Sequence, residues 1–209
     1  MRKADLERAL EAVSRHPNPS PDLEQYRTPP GIAAELLLAA HADGAIAGKR
    51  VLDLGCGTGM FTVGAALLGA RLATGIELDA DGLALATGAA ATAGVTQSTW
   101  FVAANLSAWH PEPATFDTVV MNPPFGAQKG NKHADQLFLD RAAAAVKPAG
   151  TVWFLALERT ERFLVAYATE LGGRLERVAA WDYPLEATME HHTRGIATVR
   201  VGGYRLAWR

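Results

Sequence analysis

Two stretches of the chain carry residue types whose spacing can do chemistry. Asn122-Pro123-Pro124-Phe125 sets a side-chain amide, rigid carbonyls and an aromatic ring within four residues. The prolines stiffen the backbone and remove the amides that would compete for those carbonyls. Such a group suits a planar nitrogen. The ring stacks on a flat heterocycle, while Asn122 Oδ1 and the Pro123 carbonyl accept two amino hydrogens. Acceptors placed there favour the pyramidal nitrogen that develops as its lone pair attacks. In isolation the same four residues are also consistent with a proline turn and a packed phenylalanine. No nucleophile–base triad stands out, Cys56 is the only cysteine, and His191-His192 lacks the further ligands a metal needs.

The second stretch is Asp53-Leu54-Gly55-Cys56-Gly57-Thr58-Gly59, which follows an apolar run and opens a predicted helix. Glycines permit a tight turn and close approach of the main chain to a ligand, and a helix start offers free amides. The GxGxG spacing matches neither the dinucleotide fingerprint nor the phosphate-binding P-loop, and alone it also serves as a structural turn. Glu77 ends the next apolar run, twenty residues after Gly57. A carboxylate at that place accepts hydrogen bonds from ribose hydroxyls, although a solvated strand-end acid would look the same. Asp79 reads as a cap for the following helix.

These residues need a scaffold, and the hydrophobic pattern supplies one. Leu6, Leu10 and Val13 predict an amphipathic helix over 3–15, broken by the prolines of 16–21. Thr28 before Pro29-Pro30 predicts an N-cap for a helix through Ile32, Leu36 and Leu37, ending near Asp43-Gly44. Apolar runs at 51–54, 71–78, 99–103, 118–121 and 151–157 alternate with helical stretches starting near Met60, Ala80, Ala134 and Glu161. That alternation predicts βαβ units and a parallel sheet covered on both faces. Segments 174–181 and 197–208 are expected to pair antiparallel, with Gly202-Gly203 marking a bulge or turn. The 209 residues read as one domain, with a helical segment at 1–45 and a core at 46–209. Twenty basic against twenty-two acidic side chains exclude a broad basic coat for nucleic acid or membrane. Neither a secretion signal nor a membrane span is recognisable, so the expectation is a cytoplasmic protein without a membrane partner.

The glycine loop with Glu77 resembles motif I of the class I S-adenosylmethionine-dependent methyltransferases. The resemblance implies an α/β, Rossmann-like fold with a seven-stranded, mostly parallel sheet and one antiparallel strand. It implies S-adenosylmethionine as cofactor, with Asp53, Gly55, Cys56, Gly57 and Gly59 around its methionine part. Glu77 would hold the ribose. Asn105 would face the adenine, at a place where many relatives carry Asp. Asn122-Pro123-Pro124-Phe125 is similar to the catalytic motif of enzymes that methylate adenine N6, guanine N2 or glutamine N5, with Asn122 also beside the cofactor. Glutamine enzymes usually carry Tyr in place of Phe125, and guanine enzymes often have His in place of Gly126.

Two further segments, 23–29 and 131–139, are similar to the archaeal and eukaryotic ribosomal RNA adenine-N6 methyltransferases of the methyltransferase-like group. That family adds Gln25, Tyr26 and Thr28 as cofactor contacts. Lys129, Lys132 and His133, beyond the catalytic turn, are candidates for holding substrate phosphates, or form an exposed polar loop. His191, His192 and Arg194 belong to the same expected rim. Trp100 and Phe101 would lie on an exposed sheet edge, which related enzymes use for a small zinc-binding activator subunit. The expectation is adenine-N6 methylation of structured RNA, ribosomal RNA first. Guanine-N2, DNA adenine and glutamine-N5 methylation are the enzyme alternatives, and a silent scaffold is the non-enzyme one.

Overall fold

Alternation of side chains along each strand decides which layer it feeds. Val51, Val120, Trp153 and Leu155 point to one face of a central sheet and pack with Leu10, Leu36, Leu37 and Phe61. Their neighbours Leu52, Leu54, Val119, Met121 and Phe154 point to the other and pack with Phe138, Leu139 and Leu164. The computed structural model describes residues 1–20, 24–125, 134–185 and 197–208. In chain order the elements are α1 (Lys3–Glu11), α2 (Pro30–Ala42), β1 (Arg50–Leu54), α3 (Met60–Leu67), β2 (Leu72–Glu77), α4 (Ala80–Thr92) and β3 (Thr99–Ala103). They continue with β4 (Phe116–Met121), α5 (Ala134–Ala145), β5 (Val146–Leu157), α6 (Glu161–Glu170), β6 (Arg174–Leu185) and β7 (Ala197–Ala207).

The seven strands lie in the order β3-β2-β1-β4-β5-β7-β6. β7 runs antiparallel to both neighbours and every other pairing is parallel. This is the sheet expected from the resemblance. Strand order reverses between β1 and β4, and in doubly wound sheets ligands bind outside the carboxyl ends at such a point. Both chemical stretches, after Leu54 and after Met121, sit there.

Several local expectations are corrected. α1 stops at Glu11 rather than near residue 15. The Arg27 guanidinium reaches the carbonyls of Leu10, Glu11 and Val13 at 3.5, 3.0 and 3.1 Å, which satisfies the open end of the helix. Leu6 and Leu10 of α1, and Val13 just past its end, are nevertheless buried, each contributing about 1.5–3 kcal/mol to holding this segment on the core. Thr28 does not cap α2: Pro29 occupies the N-cap, Pro30 the first turn, and no side chain caps the helix. Gly202 and Gly203 make no turn, and the bulge expected there lies on the facing strand, opposite Tyr204 and Gly203. They are paired on both sides, and the register shift falls on β6 between Arg177 and Ala179. A side chain at Gly203 would come within 2.8 Å of the Trp181 ring, so packing requires this glycine.

β4, β5 and β6 are longer than predicted. The extra length of β6 matters. β5 ends at Leu157 opposite Val201, whereas β6 and β7 continue to pair as far as Leu185 and Ala197. Beyond Leu157 they therefore form a two-stranded ribbon that overhangs the carboxyl edge of the sheet and carries Tyr183.

Candidate active site

The glycine loop is built by backbone geometry. Gly55 and Gly59 have φ of +69° and +93°, a region that a β-carbon disfavours. Space excludes a side chain as well, since a β-carbon on Gly55 would lie 3.0 Å from the Phe138 ring. The amides of Gly55 and Cys56 both donate to the Ile76 carbonyl at 2.9 Å, tying the loop to the end of β2. Glu77 completes the tie. Its Oε2 accepts the Gly57 amide at 2.8 Å, and its Oε1 accepts the amides of Leu78 and Asp79 at 2.8 and 3.0 Å. Asp79 caps α4 as expected, accepting the Asp81 amide.

Asp53 has a different place from the one expected. It is 1% exposed and lies behind the loop, where Oδ2 accepts the Thr62 amide and hydroxyl at 2.9 and 2.7 Å. Burial pushes its carboxyl up to about 7, helped by the Glu77 charge and opposed by the two Thr62 hydrogen bonds. Neither Asp53 nor Gly59 reaches the cavity wall, so both shape the loop from outside. Cys56 does line the cavity, and burial holds its thiol well above its ordinary value, with Asp53 and Glu77 adding to the rise. A thiol so protonated is a packing group rather than a nucleophile.

The cavity holds about 500 Å³ and opens over the carboxyl ends of β1, β2 and β4. Gly55, Cys56 and Gly57 form its floor, Glu77 and Asn105 one side, and Gln25, Tyr26 and Thr28 another. Gln25 is pinned in place: Nε2 donates to Asp79 Oδ2 at 2.8 Å and Oε1 accepts the Ser20 amide at 2.7 Å. His16 Nε2 lies 2.8 Å from the same Asp79 oxygen. Asn105 Oδ1 is engaged by the Ser107 amide and hydroxyl at 2.9 and 2.7 Å. Its amide nitrogen, not its oxygen, is therefore the group left to meet a ligand.

At the far end stand Asn122, Pro123, Pro124 and Phe125, all on the wall. Asn122 Nδ2 donates to Thr28 Oγ1 at 3.0 Å and to the Tyr183 hydroxyl at 3.4 Å. Asn122 Oδ1 is buried with no hydrogen-bond partner among the described residues. Phe125 meets Tyr183 edge to face, with centroids 5.6 Å apart and planes at 83°. Tyr183 is fully buried, its hydroxyl pushed up to about 12 chiefly by that burial. The sequence reading missed Tyr183, Arg27 and Thr62. No spacing rule marks them, because each acts across the fold.

Lys129, Lys132 and His133, with Gly126, fall outside the described residues, as do His191, His192 and Arg194. Among the described residues no group of three or more His, Cys, Asp or Glu side chains could hold a metal ion. No helix among them is long and apolar enough to cross a membrane. β3 is an edge strand on which Trp100 is 64% exposed, while Phe101 is partly buried against the core.

The methyltransferase small domain family matches residues 31–180 of this chain. The chain belongs to this methyltransferase family. The rRNA N(6)-adenosine-methyltransferase Mettl5 of Drosophila melanogaster is 36% identical over 96% of this methyltransferase and 94% of its own length. The zebrafish rRNA N(6)-adenosine-methyltransferase METTL5 is 32% identical over 99% of both chains. The crystal structure of a provisionally assigned RNA methyltransferase from Pyrococcus horikoshii superposes with a TM-score of 0.86 at 30% identity, covering 99% and 98% of the two chains.

The residues present fit S-adenosylmethionine, the cofactor of this methyltransferase. The volume lies within the range of small-molecule sites. The floor at Gly55 is a cradle that a β-carbon would obstruct. A fixed carboxylate at Glu77 suits ribose hydroxyls.

Proposed function

We propose that this methyltransferase transfers a methyl group to the N6 amino nitrogen of an adenine in ribosomal RNA. The observation that carries the reading is the buried Asn122 Oδ1 beside Phe125, unpartnered among the described residues, in the cavity that also contains the glycine loop. When bound, S-adenosylmethionine supplies an electrophilic methyl on a positively charged sulfur. The chain's own groups do the rest. Phe125, steadied by the Tyr183 edge contact, stacks on the base. Asn122 Oδ1 and the Pro123 carbonyl accept the two amino hydrogens and draw the nitrogen out of conjugation with the ring. Fixing the amino group in line with the cofactor cavity contributes through orientation. The proton released after transfer leaves to solvent, so no strong base is required. A base within a helix must be extruded to enter, and looped or single-stranded RNA lowers that cost.

Lys129, Lys132 and His133 follow the catalytic turn in sequence, which supports a role in holding substrate phosphates. Edge position and exposure of Trp100 support β3 as the seat of a small zinc-binding activator subunit. A cytoplasmic place of action belongs to the same reading. Incubation with labelled methyl donor and separate pools of ribosomal RNA, transfer RNA and DNA, followed by nucleoside mass analysis, tests it. N6-methyladenosine in ribosomal RNA is the expected product, and N2-methylguanosine or label confined to DNA would overturn the reading.

A further inference from the structure

An asparagine amide can present oxygen or nitrogen to a pocket in almost the same volume but with opposite hydrogen-bonding sense. Only one sense accepts hydrogens from an amino group. At Asn122 two buried hydroxyls decide between them. Thr28 Oγ1 accepts from Nδ2 at 3.0 Å, and Thr28 is 7% exposed. The Tyr183 hydroxyl stands 3.4 Å from the same nitrogen, and its own hydrogen points to the Arg27 carbonyl at 3.4 Å. With its single hydrogen directed there, the Tyr183 oxygen accepts from Asn122 and also from the Thr28 hydroxyl, whose hydrogen is thereby spent as well. The reversed amide would place Oδ1 against an oxygen with no hydrogen to give and would turn a donor into the cavity.

We propose that Thr28 and Tyr183 are positioning residues that fix the Asn122 amide with its oxygen toward the cavity, making the site select an amino group over a keto oxygen. This rests on the adenine-N6 reading and deepens it, since a six-amino purine matches two acceptors and a six-keto purine does not. The two residues come from opposite ends of the chain. Thr28 belongs to the segment walling the cofactor cavity, and Tyr183 to the ribbon that overhangs the sheet.

The test uses Thr28→Val, which keeps the shape and removes the acceptor, and Tyr183→Phe, which keeps the ring against Phe125. Hydrogen exchange of the Asn122 side-chain amide, followed by NMR on the protein alone and assigned by its loss in Asn122→Ala, reads the lock directly. Each single variant is expected to speed that exchange about fivefold and the double variant by more than either single one. With ribosomal RNA and varied methyl donor, Tyr183→Phe lowers kcat by a similar factor while KM for the donor holds within about twofold, and Thr28→Ser recovers most of the rate lost in Thr28→Val. Unchanged exchange in the double variant would overturn the proposal, as would a rate loss in Tyr183→Phe matched by an equal loss of donor affinity. If the wild-type protein methylates no adenine in RNA, the function reading fails by itself, and the exchange rates still decide the lock.

Discussion

Replacing Glu77 by Gln isolates the tie between the glycine loop and the end of β2. The carboxylate accepts three backbone amides, one from Gly57 and two from the turn after β2. A glutamine can keep its oxygen on the Leu78 and Asp79 amides only by turning its nitrogen toward the Gly57 amide, donor against donor at a site set for 2.8 Å. Loss of one charge-assisted bond costs about 1.5–3 kcal/mol. If that falls on the loop conformation that binds the donor, affinity drops roughly tenfold to a hundredfold. The same loss should lower the melting temperature of the ligand-free protein by about 3–12 °C, at roughly 2–4 °C per kcal/mol for a chain of this size. Calorimetric titration with S-adenosylmethionine and thermal unfolding without it measure the two effects. Affinity within about threefold of wild type would refute both the loop tie and the ribose contact.

Asn122→Ala should leave donor binding intact and reduce methyl transfer by about a hundredfold or more, since it removes an acceptor that acts on the developing transition state; single-turnover kinetics with ribosomal RNA check it. Asp53 predicts a pH dependence. Its folded-state value is raised from the ordinary carboxylate range to about 7, so the stability it contributes is full below about pH 4 and is lost as pH rises through 7. Asp53→Asn, which can still accept from Thr62, should flatten that part of a denaturation-versus-pH profile. Gly203→Ala should cost about 1–3 kcal/mol by crowding Trp181, visible as a lower denaturation midpoint.

The parts of the site legible in the sequence are those that one short segment builds by itself. The loop 53–59 and the turn 122–125 have their shape written in glycines and prolines, and alternating runs place both at strand ends. Thr28 shows the limit. Next to two prolines its hydroxyl reads as a helix cap, yet the fixed φ of Pro29 and Pro30 starts α2 without it, and the hydroxyl serves Asn122 instead. Asp53 heads the glycine motif, but its place on β1 turns it behind the loop toward Thr62. Tyr183 could not be found because the run of β-formers was read as ending at Trp181. The pairing of Tyr183 with Val199, which extends β6, depends on a partner strand far along the chain.

β6 touches the sheet only through β7, which follows it in the chain yet lies between it and β5. Synthesis proceeds from the amino end, so the first five strands can assemble while β6 still has no neighbour to pair with. Only when the later strand has threaded into its slot can β6 dock and bring Tyr183 over Asn122. The contacts that Tyr183 makes with Asn122 and Phe125 therefore wait on the final strand, and a nascent chain stopped short of β7 would hold the glycine loop and the 122–125 turn without the hydroxyl and ring that steady them.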